Sequence, residues 1–504
     1  MIGSGFGGSL MATILAKQGM SVAIVDHGVH PRFAIGESST PAGNLILGDL
    51  ARRYDLPELT PLTHFGSWRH TYPDLLCGCK RGFSYFWHGD PTGFHASDEH
   101  QHELLVAANL SREVADTQWY RPQVDQFFAN NSRKHGVHLL EETKIQSIEH
   151  PSTNLWVIRA ESQGKPLTFE APFLIDASGK AGVLPRQLDL TDLTSQLETK
   201  SSAIYGHFIG VPPFEETLHA QGARLSDYPF PVDDSAIHHL FRDGWSFQLR
   251  FDDGLTSFGS IQVANDRHSL GLASETSLLH NRPSLTQVLG NSQLAPFPGR
   301  LYRIDRMQRL WESAAGCDWA ALPFTTGFID ALHSTGIAHN LSGIERLAEI
   351  LLNASGKARE DALHQYSRQV VRELQLIDLL VAGCYTGLAD FRLFTAWSML
   401  YFAAATSYEK ARCAHSSEEA SYLLAGDDSF GSIISTHYQL LIRLVESNRL
   451  DDTAIENFRQ HLKSAIAPYN HVGLFEPAIS NMYTYTAAPS QSARQPRPSR
   501  QRSQ

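Results

Sequence analysis

The hydrophobic positions of this chain change period several times, and each change marks an element. Leu10, Met11, Ile14 and Leu15 recur at helical spacing over residues 9–18, and Gly19 ends the helix they predict. Residues 22–25, Val-Ala-Ile-Val, then form a short apolar run that closes on Asp26. A polar turn at 35–41 leads into a helix near 44–54, with Ser39 or Thr40 as its cap and Pro41 at its first position. Residues 82–87 are aromatic and strand-like, and 118–137 pass through Arg121-Pro122 into a helix ending at Gly136. Two strands, 145–149 and 155–161, turn through 151–154, and 172–179 reads as a buried strand emerging into a tight turn. Alternation around 203–210, 238–251 and 256–263 predicts an antiparallel sheet. Residues 327–350 read as loop then helix. From 356 onward the pattern is helical, with amphipathic stripes over 361–383 and 431–447. Ser, Gln, Pro and Arg dominate from Ala488, which predicts a disordered tail.

The opening strand–helix–strand unit carries chemistry. Gly3-Ser4-Gly5-Phe6-Gly7-Gly8 reads as GxGxxG on Gly3, Gly5 and Gly8. In such a loop the first glycine makes the turn, the second lets backbone approach a pyrophosphate, and the third lets helix pack on sheet. The helix then presents free N–H groups and its positive end to the anion. Asp26, about twenty residues on, stands where an acid takes the ribose hydroxyls. Only Met1 and Ile2 precede Gly3, so the central strand is expected to be nearly missing, or to begin upstream.

Composition narrows the partners. With Lys+Arg 42 against Asp+Glu 53, the net charge of −11 excludes a nucleic-acid-binding surface from the expected functions. No apolar run reaches bilayer-spanning length, 396–405 being the nearest, and glycines interrupt any N-terminal signal pattern. Five cysteines, odd in number, suit a reducing cytoplasm, and Cys77-Gly78-Cys79 lacks a second half with zinc spacing, so no metal is expected.

The glycine loop, Gly36-Glu37-Ser38, Arg121 ahead of a helix, Asp176-Ala177-Ser178-Gly179, and Phe328-Ile329-Asp330 followed by Ser334-Thr335-Gly336 occur in this order. Together they resemble the flavin-dependent halogenases, within the wider class of FAD monooxygenases and reductases, over roughly residues 1–350. The resemblance implies an α/β chain with a Rossmann-like FAD-binding fold of the glutathione-reductase type, like p-hydroxybenzoate hydroxylase. The FAD-binding part would span 1–200 and 300–355, an antiparallel-sheet substrate region 201–299, a helical region 356–487 and the tail 488–504. By the same resemblance Gly3, Gly5, Gly8 and Asp26 hold the adenosine diphosphate, and Glu37, Ser38, Arg121, Asp176, Asp330 and Gly336 contact the rest of the cofactor. Ser334, Thr335 and Gly336 match the halide loop, where an anion suits a helix start. Lys80, in Cys79-Lys80-Arg81-Gly82-Phe83, matches the lysine that steers hypohalous acid to an aromatic substrate; the alternative is a solvated strand-end lysine. Reduced FAD would come from a separate flavin reductase, because no second GxGxxG with nicotinamide spacing is present, and chloride or bromide would be the co-substrate.

The departures from the family pattern carry information as well. Its WxWxIP motif appears as Gly244-Trp245-Ser246-Phe247-Gln248-Leu249-Arg250, so Trp245 and Phe247 are either a substrate gate or ordinary core residues. Pro323-Phe324 replaces a Gly-Asp pair, removing a carboxylate expected on the flavin's ribityl or ribose, and Ala331 replaces a proline. His333 stands where indole-type members carry a glutamate; it either accepts a proton or lines the pocket. These changes leave two other readings open: an FAD monooxygenase or reductase acting on an apolar substrate, and a decayed, non-catalytic relative.

Overall fold

The computed structural model describes residues 1–89, 93–263, 282, 284–414, 421–447 and 449–486. The predicted tail lies outside these residues. A parallel sheet holds the glycine loop. Its strands run His138–Leu140, Ala23–Val25, then Ile2, then Leu174–Asp176 and Trp319–Ala321. Ile2 alone does the work of a central strand, pairing in parallel with both Val25 and Asp176. Backbone bonds from Ile2 N to Ile175 O and from Gly3 N to Val25 O complete the join. The helix Phe6–Lys17 packs beneath, against Arg121–Lys134 and Thr335–Asn353. The expected strand pair is a three-stranded antiparallel meander, Thr143–Ser152, Leu155–Ser162 and Lys165–Ala171. Thr40 is the N-cap residue of Pro41–Arg53, but no side chain caps that helix: Ser39 Oγ donates to Asn44 Oδ1 instead.

The second sheet has nine strands and forms one wall of the cavity described below. Its order is Gln293–Leu294, Ser201–Ile209, Thr256–Val263, Gly244–Arg250, Ala236–Phe241, Gly82–Trp87, Glu103–Ala107 and Met482–Tyr483, with Tyr302–Ile304 also on Ser201–Ile209. It is antiparallel through the middle of the chain, as expected. It also reaches outside 201–299, and the joins of Ala236–Phe241 to Gly82–Trp87 and of Met482–Tyr483 to Glu103–Ala107 are parallel. Period-two patterning specifies which face of a strand is buried but not which distant strand it pairs with, so these joins left no local mark.

Four long helices follow: Gly356–Gly387, Phe391–Cys413, Asp428–Glu446 and Asp452–Ala465. Asp390, Asp427 and Asp451 cap the last three. These helices share one continuous apolar core with the parallel sheet, so residue 356 marks no break in packing. Among the described residues no helix is long and apolar enough to cross a membrane.

A buried ion cluster ties the helices together. The Glu373 carboxylate accepts two bonds of 2.7 Å from Arg346, one of 3.0 Å from His339 and one of 2.9 Å from Tyr422 N. Burial would raise this carboxyl; the Arg346 charge and these hydrogen bonds reverse that and hold it near 2, against the usual 4.5. A depressed carboxyl stabilises the fold fully above 4.5, and that contribution is lost as the pH falls toward 2. Glu373→Ala is therefore expected to cost about 3–5 kcal/mol at neutral pH, because it strands a buried Arg346. Urea unfolding at pH 7 and pH 3 checks this, with a much smaller gap between wild type and variant at pH 3.

Candidate active site

The glycines of the opening loop divide into two kinds. Gly3 has φ +96°, and a Cβ there would lie 2.6 Å from Ala177 O; at Gly8 it would lie 2.2 Å from Gly3 O. Both are required by the fold itself. Gly5 is different: a Cβ would meet only Asp125 Oδ2, at 3.6 Å. Gly5 caps the helix without any side-chain bond. Gly5, Phe6, Gly7 and Gly8 line a cavity of about 350 Å³.

The same cavity is lined by Asp330, Ala331, Ser334, Gly336 and Ile337. The two loops singled out in the sequence, more than three hundred residues apart, thus face one space. Asp330 is buried; its Oδ2 accepts from Tyr385 OH at 2.7 Å and from Ser201 Oγ at 3.1 Å, and its Oδ1 from Leu332 N at 3.0 Å. Burial pushes its carboxyl up to about 6 in spite of these donors. Ser334 adopts φ +53° as the N-cap of Thr335–Asn353, a left-handed conformation unusual for a residue with a side chain. Gly336 has open space where a Cβ would stand. Trp245, Phe247 and Leu249, alternating on one strand, form the sheet side of the cavity, and Trp245 Nε1 donates to Tyr385 OH at 3.1 Å.

Several expected contacts are redirected. Asp26, expected on ribose, stands outside the cavity wall and is engaged within the protein. It accepts from Ser4 N and Oγ, both at 2.7 Å, from Gly28 N at 2.9 Å, and from both ends of the Arg32 guanidinium at 2.5 and 2.7 Å. Burial would raise its carboxyl, but Arg32 and Ser4 hold it well below the usual carboxylate range. Asp176 is a turn cap, accepting from Ser178 N at 2.7 Å and Leu184 N at 2.6 Å, also outside the wall. Arg121 lines the cavity, yet its fork is taken by Asp125, at 2.8 and 3.0 Å, and by the Ile35 and Gly36 carbonyls. Glu37 and Ser38 do line the cavity. Glu37 Oε1 accepts from His207 Nε2 at 2.8 Å, while Glu37 Oε2 and Ser38 Oγ are buried with no partner.

Lys80 is fully buried, which overturns the alternative of a solvated strand-end lysine. Its Nζ donates to Ser39 O at 2.6 Å and sits 4.0 Å above the Phe83 ring. It pairs across the strands with Asp116, whose carboxylate also accepts from Asn44 at 2.6 Å and Asn109 at 3.1 Å. Burial drives this pair toward neutrality, lowering the lysine and raising the aspartate, while their mutual attraction opposes it. Lys80 is not part of the cavity lining. His333 and Thr335 also stand outside it. His333 is stacked at 4.3 Å on Tyr401, with Nε2 3.4 Å from Cys384 Sγ, and burial pushes it down to about 3. No group of three or more His, Cys, Asp or Glu placed to hold a metal occurs among the described residues.

The monodechloroaminopyrrolnitrin halogenase PrnC of Pseudomonas fluorescens is 28% identical to this chain over 418 residues, covering 80% of this chain and 70% of its own. The tetracycline 7-halogenase of Kitasatospora aureofaciens is 27% identical over 423 residues, covering 80% and 71%. The crystal structure of halogenase PltM in complex with phloroglucinol and FAD matches with a TM-score of 0.82 and 25% identity, over 97% of this chain and 99% of that one. No family model matches the chain. This chain is a relative of the flavin-dependent halogenases.

The residues present fit the flavin dinucleotide of those halogenases. Gly5 is a glycine that no protein contact requires, and the Glu37 and Ser38 oxygens have no partner in the protein. Two further residues of this halogenase relative were missed in the sequence. His238 lines the cavity, stacks at 4.6 Å on Tyr85 and donates from Nδ1 to Ser84 O at 3.1 Å; burial lowers it to about 3, so it is a neutral imidazole. Tyr385 carries Asp330 from the helical region. Neither lies in a recognisable motif. His238 is paired with the cavity-lining Phe247 across the hairpin of Ala236–Phe241 and Gly244–Arg250, and with Tyr85 across the parallel join to Gly82–Trp87.

Proposed function

We propose that this chain is an FAD-dependent halogenase acting on a small aromatic, phenol- or pyrrole-like substrate, with a dinucleotide fold of the glutathione-reductase or p-hydroxybenzoate-hydroxylase type. The observation that carries this reading is the meeting of the glycine loop and the Asp330–Gly336 loop on one cavity. Bound FAD, reduced by a separate reductase, supplies with oxygen the oxidising power that turns halide into hypohalous acid. The chain's own residues then do the directing.

Gly5–Gly8 and the first-turn N–H groups accept the diphosphate. Thr335 and Gly336, in the first turn of a nineteen-residue helix, offer backbone donors to the halide, and Ser334, whose own N–H bonds Ala331 O, offers its hydroxyl. Trp245 and Phe247 fill the space between cofactor and substrate and keep the two apart. Lys80 holds the oxidised halogen through its N–H donors, with its orientation set by Ser39 O and Phe83. Phe83, beneath the Lys80 ammonium, stacks on Tyr85 and meets Tyr401 edge-on, and Tyr85 stacks on His238, so an aromatic cluster adjoins the lysine. Cys77, Cys79, Cys317 and Cys384 carry thiols rather than disulfides, which suits a reducing, cytoplasmic setting.

The test combines the purified protein with FAD, a flavin reductase, bromide and a panel of phenols and pyrroles, and reads products by mass spectrometry. Products bearing the paired isotope signature of bromine are expected. Products gaining only oxygen would overturn halogenation in favour of a monooxygenase.

A further inference from the structure

Two guanidinium groups line the cavity, Arg121 and Arg309, and their surroundings differ. Arg121 faces a carboxylate, Asp125, through two bonds. Arg309 has no acid acting on it among the described residues: burial is the one influence on its pKa, lowering it to about 10. Its Nη2 donates to the Phe324 carbonyl, its Nε is buried without a partner, and the group rests 4.8 Å from the Phe324 ring centre and 5.9 Å from that of Phe328. A guanidinium does not lose its proton under these conditions. It is a half-buried cation that lines the cavity, and a charge drawn out of water is costly unless something anionic answers it.

The position narrows what that anion is. Arg309 pairs with Phe328 on a short strand, two residues before Asp330. Phe324, on which it rests, adjoins the glycine loop: Phe324 N donates to Asn340 Oδ1 at 3.3 Å, and Asn340 Nδ2 fills the space where a Gly7 side chain would stand. Phe324 also occupies the place of the acid in the family's Gly-Asp pair. An acid has gone from this wall, and an unpaired cation lies across the residue that replaced it.

We propose that Arg309 is the counter-charge for the diphosphate of the bound flavin dinucleotide. The proposal rests on FAD being the ligand. The planar fork suits two phosphate oxygens, and Arg121, the cavity's other guanidinium, is already neutralised.

Flavin fluorescence titrations with FAD and with riboflavin, which shares the ring but lacks phosphate, test it on wild type, Arg309→Met and Arg309→Lys. Arg309→Met is expected to weaken FAD by about tenfold or more, leave riboflavin within about twofold, and flatten the salt dependence of FAD binding. Arg309→Lys keeps the charge without the fork and is expected to lose FAD affinity severalfold, again sparing riboflavin. It carries the test alone if Arg309→Met does not fold. Equal losses for both ligands would mean a packing role and overturn the proposal, as would unchanged FAD affinity, including a case in which only chloride dependence moves. Failure of wild type to bind either flavin would instead remove the FAD reading itself.

Discussion

Lys80→Met is expected to abolish halogenation, by about a hundredfold or more, while flavin binding and reoxidation proceed at wild-type rates. The lysine stands outside the flavin cavity, so its loss leaves the cofactor wall intact. Methionine fills the space against Phe83 and keeps the core packed. Asp116, already raised by burial, takes up a proton when the neighbouring ammonium is gone, and Asn44 and Asn109 keep it hydrogen-bonded. The variant should therefore fold and still consume oxygen, releasing hypohalous acid without directing it. Bromine incorporation and stopped-flow flavin reoxidation, measured on one preparation, separate the two steps. A variant that halogenates normally would remove Lys80 from the mechanism.

The opening loop yields the second large effect, as a contrast between neighbours. Gly5→Val should weaken FAD binding by about a hundredfold or more with a nearly unchanged melting temperature. Gly5 has φ −59° and ψ 173°, which valine tolerates, and its Cβ would meet no protein atom closer than 3.6 Å. Gly8→Val should instead fail to fold, since its Cβ would stand 2.2 Å from Gly3 O. Thermal unfolding and FAD titration of both proteins check the pair. If Gly5→Val binds FAD as wild type does, the loop does not cradle the cofactor.

What could be read from the sequence was whatever is encoded by neighbours in the chain. Gly3, Gly5 and Gly8 follow from one turn, and Asp330 through Gly336 from one loop and helix start; both stretches reached the cavity. Acids were harder. Asp26 and Asp176 have the right residue type at the right strand ends, but a carboxylate at a strand end serves equally to hold a turn. Arg32 in one case and the Ser178 and Leu184 amides in the other claim these two. Arg309 and His238 were invisible because their meaning depends on what is absent or distant: an acid that never approaches the arginine, and a strand 150 residues away that carries the histidine to Lys80. His333 had family position in its favour, and it lies buried against Tyr401 and Cys384, outside the cavity lining.

The last strand of the large sheet has a consequence for how the chain is made. Met482–Tyr483 lies along Glu103–Ala107, and Thr486 returns a hydrogen bond to Ala107 across 379 residues. A nascent chain emerging from the ribosome must carry the Glu103–Ala107 flank of that sheet bare until residues 482–486 are made, which is the interval in which unpaired β edges recruit one another. Slower growth at lower temperature, or a chaperone that shields the flank, should accordingly raise the soluble yield of this protein more than any change to its core.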